Sequence, residues 1–209
     1  MESVEWGAIS HMHRWPLYDN KNVFDSPYDV LGQNHSLRRV VVIMEYKGVT
    51  PRIGNNVFIA PTAVVIGNVS IGDRASIWYG TVVRGDRDAI TIGDRTNIQD
   101  NCTVHTDPGK PVRIGSGVSI GHAAVVHGCT IENDCLIGIK AAVLNDAIIR
   151  QGSIVASGAV VREGQEIGPF QLVAGVPAEV KRALDDKTLV KIHRTVEIYT
   201  SLAADYSDT

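Results

Sequence analysis

The sequence predicts an all-β fold: a parallel β-helix of hexapeptide repeats, preceded by an extended N-terminal arm and followed by a C-terminal α-helix. Three observations carry that expectation. First, Ile or Val returns every six residues at Ile53, Ile59, Val65, Ile71, Ile77 and Val83. The pattern resumes at Ile92, Ile98 and Val104, again at Ile114, Ile120 and Val126, and then from Ile131 through Ile137, Val143, Ile149, Val155 and Val161 to Ile167. Second, a small or β-branched residue stands four positions after each of these up to Val161, as in Ala63, Val69, Thr96, Cys102, Ala124 and Ser153; only Arg87, Pro108 and Gln165 break this rule there. Third, the phase slips after Val83, Val104 and Val126, always on the same side of the coil.

Each observation has a physical meaning. In a β-helix built on a six-residue period, every hexad supplies one short strand and one corner, and three hexads close a triangular coil. The first position points inward and its neighbours outward, because side chains alternate along a strand. The fifth position fills the narrow corner, where only a small residue fits. A generic buried strand is also rich in Val and Ile, but it does not keep returning to a six-residue period between residue 53 and residue 167. Slips gathered on one corner are what a solenoid tolerates where that corner carries its working loops.

With 209 residues and 44% hydrophobic content, the chain reads as one principal domain with appendages. Residues 1–50 are expected to form the arm, 51–176 the β-helix and 177–209 a C-terminal helical segment. The arm lacks the repeat and is rich in aromatics (Trp6, Trp15, Tyr18, Phe24, Tyr28). With Glu2 and Glu5 and few arginines it makes a poor transit peptide, and it is expected to lie on a partner or a neighbouring subunit. Residues Ala174 to Ala178 read as a turn whose Pro177 opens a helix. Asp185 is placed to cap a second helix running to about Ala204, with Leu189, Ile192, Val196, Tyr199 and Leu202 on one stripe.

Several classes are excluded. A net charge of −3 argues against a nucleic-acid partner, and no apolar run approaches the roughly 18 residues of a transmembrane helix. Three cysteines give no disulfide framework. Cys102 and Cys135 fall at the small inward position, and Cys129 lies by the slipped corner; all three are read as packing.

The repeat decides where the histidines point. His105 and His127 both hold the second position, on the same side, three hexads apart. They are therefore outward neighbours on adjacent coils, about 4.8 Å apart, and two imidazoles so placed can share a metal at about 2.0–2.1 Å from each nitrogen. Arg84 occupies the same position one coil earlier. His122 holds the third position of the preceding side, directly above Asp100, so within one chain it faces elsewhere. Either it is unrelated to the pair or a neighbouring subunit brings it there. A trimer of three-sided prisms would create three equivalent sites. His11, His13, His35 and His193 are expected to be bystanders.

The set Arg84-Gly85-Asp86, Asn97-Ile98-Gln99-Asp100, His105, Gly121-His122 and Val126-His127-Gly128 resembles the gamma-class carbonic anhydrases, over about residues 51–205. The resemblance implies a left-handed β-helix, a trimer, and zinc between subunits, with iron or cobalt as alternatives. It implies carbon dioxide and bicarbonate as the reactants. It also implies His105 and His127 from one chain and His122 from its neighbour as ligands. Arg84 and Asp86 would form an inter-subunit salt bridge, with Asn97, Gln99 and Asp100 completing the candidate catalytic set.

Two departures stand out. The best-known active members of that family carry a glutamate just after the Arg-Gly-Asp run, where this chain has Arg87. They also carry one on a longer acidic loop after the first histidine; here that loop, residues 106–113, has only Asp107. A metal centre is expected without an evident proton shuttle. Gly32-Gln33-Asn34-His35 with Arg38-Arg39 resembles the leader of gamma-class subunits attached to mitochondrial respiratory complex I. That implies a mitochondrial subunit in a homotrimer or in a heterotrimer with paralogues; a freestanding cytoplasmic homotrimer is the alternative. A hexapeptide acyltransferase would share the fold, but it needs a CoA cleft and a lone catalytic histidine, which the stacked pair opposes.

Overall fold

The structure is a computed structural model, and it describes residues 41–207. The expectations for the aromatic residues, histidines and leader-like motif of residues 1–40 lie outside the described residues. The rest is a parallel β-solenoid of about seven turns closed by one helix.

Three inward ladders run along it. One joins Val65, Val83, Val104, Val126, Val143 and Val161 in register. A second joins Ile59, Ile77, Ile98, Ile120, Ile137, Val155 and Val173. The third joins Ile53, Ile71, Ile92, Ile114, Ile131, Ile149 and Ile167. From Ile59 on, every member is buried. Ile53 alone is 36% exposed, because it sits on the first coil of the described residues, with no described coil beneath it.

The corners are filled as their residue sizes require, and the polar ones are paired. The hydroxyl of Thr81 donates to the Gln99 carbonyl at 2.7 Å, and that of Thr96 to the Gly115 carbonyl at 2.7 Å. Each bond links one coil to the next, so a buried hydroxyl costs nothing here. Two strands, Val64–Ile71 and Val82–Ile92, run through the slipped corner without a break and pair along it. That close pass explains Gly85: a Cβ there would stand 2.6 Å from the Asn68 carbonyl oxygen.

Two boundaries differ from expectation. Among the described residues strand pairing begins at Val42–Met44, parallel to residues 64–66, ahead of the expected start at residue 51. Beyond the turn at residues 175–178, Pro177 opens no helix: Glu179–Ala183 is a strand, antiparallel to Gln171–Ala174. The last coil would otherwise leave a row of unpaired backbone groups, and this return satisfies them.

The helix α1 spans Asp186–Ser207. Asp185 Oδ1 accepts from the Thr188 backbone N–H at 3.0 Å and from its hydroxyl at 2.7 Å. Those two hydrogen bonds from Thr188, the side-chain one foremost, hold the Asp185 carboxyl below its ordinary pKa. The cap therefore contributes above the unfolded carboxylate pKa and is lost as pH falls through the lower folded value. Asp185→Ala is expected to fray the first turn and remove this acid dependence; circular dichroism followed down in pH checks it.

Ile192, Val196 and Ala203 of α1 are buried, and Tyr199 and Leu202 pack on the core. Tyr199 and Tyr206 close an aromatic cluster with Phe58 and Trp78 of the early coils. The stripe thus covers one outer side of the solenoid.

Candidate metal centre

Strands Thr103–His105 and Val125–His127 pair in register, Thr103 beside Val125, Val104 beside Val126 and His105 beside His127. Val104 and Val126 are fully buried, so the residues flanking them point out. The two imidazoles are thereby stacked on adjacent coils, ring centres 5.0 Å apart and planes inclined at 60°. His105 Nδ1 lies 3.0 Å from His127 Nε2.

The far nitrogen of each ring is held by an oxygen. His105 Nε2 is 3.0 Å from Asp86 Oδ1, and Arg84 Nη1 donates to Asp86 Oδ2 at 2.6 Å. Partial burial raises the pKa of Asp86. Hydrogen bonds from Arg84 and His105, with the Arg84 charge, outweigh it and hold the carboxyl below the usual carboxylate range. The expected inter-subunit pairing of Arg84 with Asp86 is thus, within this single chain, an internal one. His127 Nδ1 is 2.8 Å from Asn145 Oδ1, and Asn145 Nδ2 donates to Asp107 Oδ2 at 3.0 Å.

These partners dictate the chemistry between the rings. An ionised carboxylate only accepts, so Asp86 takes the proton on His105 Nε2. The amide oxygen of Asn145 also accepts, so His127 carries its proton on Nδ1. Both inner nitrogens are then lone pairs facing each other at 3.0 Å, an arrangement that repels until a cation sits between them. A tetrahedral zinc ion at about 2.0–2.1 Å from both would set them about 3.3 Å apart, close to what is found. A carboxylate behind one ligating histidine and an amide oxygen behind the other are the usual supports of such a site. The residues fit a metal ion.

They supply two ligands. Among the described residues, no group of three or more His, Cys, Asp or Glu side chains converges within the chain. His122 lies on another side, its Nδ1 2.8 Å from Asp100 Oδ2 and its Nε2 3.5 Å from the Tyr199 hydroxyl. Asn97 and Gln99 form a third group, both buried: Gln99 Nε2 donates to Asn97 Oδ1 at 3.1 Å, and Asn97 Nδ2 to Ser119 Oγ at 2.8 Å. The structure thus gathers Arg84, Asp86, His105 and His127, and keeps Asp100 with His122, and Asn97 with Gln99, apart from them.

The three thiols are not part of it: burial pushes the pKa of Cys102 up to about 11 and those of Cys129 and Cys135 up to about 12. Two neighbours of the histidines escaped the sequence reading. Asn145 is the third residue of the Val143 hexad, which stacks directly on the Val126 hexad; following the corner one coil further would have found it. In the sequence Tyr199 shows only as part of the helix stripe, since nothing in the repeat says which side α1 crosses.

A Methanocaldococcus jannaschii protein described as "Probable carbonic anhydrase" is 55% identical over 151 residues, covering 72% of this chain and 95% of its own. Gamma carbonic anhydrase 2, mitochondrial, of Arabidopsis thaliana is 40% identical over 173 residues, covering 80% of this chain. The chain belongs to the gamma-class carbonic anhydrase family.

The chain spans 62% of the Arabidopsis gamma carbonic anhydrase's length. The hexapeptide family described as "Bacterial transferase hexapeptide (six repeats)" matches residues 50–85, within the gamma-class repeat. The crystal structure of a hexapeptide transferase family protein from Anaplasma phagocytophilum is 39% identical, with a TM-score of 0.76. It covers 79% of this gamma-class chain and 98% of its own. Carbonic anhydrase relatives and transferase-described structures share one scaffold, so the side chains on it carry the functional distinction.

Proposed function

We propose that this chain is the subunit of a trimeric gamma carbonic anhydrase whose metal centre lies between subunits and interconverts carbon dioxide and bicarbonate. The single observation that carries it is the pair of inner nitrogens, His105 Nδ1 and His127 Nε2, facing each other at 3.0 Å with both far nitrogens held by acceptors. Two imidazoles in one chain leave a tetrahedral ion incomplete. His122, carried on a different side of the prism, is the ligand a neighbouring copy would present. Three nitrogen ligands with one open position suit zinc, with iron or cobalt as alternatives.

When bound, zinc supplies a Lewis-acidic position at which the pKa of water falls to about 7. The chain's own residues do the rest. Asp86 orients His105, and Arg84 keeps Asp86 ionised. Gln99, fixed by Asn97 and apart from the histidine pair of its own chain, would orient the reactant at the centre it shares with a neighbouring copy. The pairing of His105 with His127, with its acceptors behind, favours this reading over an acyltransferase, which needs one catalytic histidine.

The proton is the weak step. Asp86 is engaged by Arg84 and His105, Asp100 by His122, and Asp107 by Asn145. Arg87, exposed, stands where the resemblance places a glutamate. Zinc-loaded protein is expected to hydrate carbon dioxide slowly, with the rate rising as imidazole buffer is added, because a diffusible base carries the proton. Stopped-flow hydration at varied imidazole checks it, and fast turnover independent of buffer would overturn it. Light scattering is expected to show three chains per particle; a stable metal-loaded monomer would overturn the shared site.

A second reading is favoured by the same engaged carboxylates and by Arg87. In it the chain keeps the metal centre as one of several paralogous subunits attached to mitochondrial respiratory complex I. Native mass of the complex from its source separates this from a freestanding cytoplasmic homotrimer.

A further inference from the structure

We propose that Asp107 and Asn145 are positioning residues that fix the tautomer of His127, so that its Nε2 is presented as a lone pair before any metal arrives. The inference rests on the metal reading above and assigns Asp107 a role other than proton transfer.

An asparagine amide has an accepting end and a donating end, and either could face His127. Asp107 removes the choice. Its carboxylate accepts only, so the Asn145 Nδ2 group turns toward it, at 3.0 Å. Asn145 Oδ1 is then left facing His127 Nδ1, at 2.8 Å, and can only accept its proton. The polarity runs from a carboxylate that never touches His127 to the ring nitrogen that faces His105.

This matters because a free histidine in water prefers its proton on Nε2. On His127 that tautomer would place a hydrogen where the metal must bind. The amide oxygen reverses the preference by accepting from Nδ1, which is how an outer partner prepares a ligating histidine.

The local backbone is shaped around this arrangement. Gly128 has a φ of +53°, and a Cβ on it would collide with Asn145 Oδ1. Its N–H donates to the His105 carbonyl at 3.1 Å, and its own carbonyl accepts from the Asp146 N–H at 2.8 Å. The residue after His127 is thus tied to both neighbouring coils and leaves room for the amide. Asp107 comes from the lengthened interval after Val104, and its carbonyl accepts from the Lys110 N–H at 2.9 Å, which closes that loop. Asn145 lies one coil further, on the hexad stacked over His127.

The test uses full-length protein, freed of metal by a chelator and carrying 15N-labelled histidine. Nuclear magnetic resonance of the imidazole nitrogens reads the His127 tautomer, and competition with a chromophoric chelator reads zinc affinity. Asp107→Asn and Asn145→Leu are each expected to move His127 toward the Nε2–H tautomer and to weaken zinc binding by about 10- to 100-fold. The double variant Asp107→Asn with Asn145→Asp keeps a donor opposite an acceptor and an acceptor toward His127. It is expected to recover both tautomer and affinity, which a purely structural role of these residues would not produce. An unchanged tautomer in Asp107→Asn, or no recovery in the double variant, overturns the proposal. If wild-type protein binds no zinc while the tautomer still follows Asp107, the relay stands and the metal reading falls.

Discussion

His105→Ala and His127→Ala are each expected to leave the purified protein with little bound zinc, and His122→Ala to do so to the same degree. Loss of an outer-shell partner typically costs 10- to 100-fold in metal affinity, and loss of a ligand is expected to cost at least about 100-fold. Removing His127 leaves His105 Nδ1 without its partner across the 3.0 Å gap. His105→Ala also takes from Asp86 one of its two side-chain partners, leaving Arg84. His122→Ala is the sharper case, because within one chain that residue touches Asp100 and Tyr199 and neither of the paired histidines. An effect on metal content can reach the centre only through another copy. His193→Ala is the control: its ring is 3.1 Å from Asp134, away from the pair. Metal content by elemental analysis, with affinity by competition, decides the matter. Full occupancy in His122→Ala would place the third ligand elsewhere.

Trp78→Ala is expected to be the most costly single change to stability outside the inward ladders, at about 3–5 kcal/mol. The indole is 5% exposed. Its ring centre lies 5.0 Å from Phe58, 5.3 Å from Tyr199 and 5.5 Å from Tyr206, and its N–H donates to Ser76 Oγ at 2.9 Å. Alanine would leave a void between coil and helix that neither can collapse into, because the coil is fixed by its ladders. Urea unfolding monitored by circular dichroism measures the loss. A change below about 1 kcal/mol would mean that α1 is held by contacts other than this cluster.

The inward ladders were legible because a six-residue period leaves one choice of facing: Val104 and Val126 must point in, so His105 and His127 must point out together. The same arithmetic separated His122 from them. Ile53 departs from its ladder's burial because periodicity says nothing about which coil is terminal. Asn145 was missed because a support is defined by the atom it faces, and that depends on the width of the corner at Gly128. Pro177 misled because a turn followed by proline suits a strand return as well as a helix start. The choice was made by the open edge at Gln171–Ala174, a feature of the stack and not of the local sequence.

The path of α1 has a consequence for how the chain is made. A solenoid can add coils in order, since each contacts only its neighbours. The aromatic side of the early coils does not share that schedule. Phe58 and Trp78 leave the ribosome long before Tyr199 and Tyr206, the rings that cover them. Throughout that interval a growing stack shows a greasy face to other nascent chains on the same message. Until α1 closes, Phe58 and Trp78 lack the rings that pack on them, and binding of a chaperone to the two during that interval would shield them.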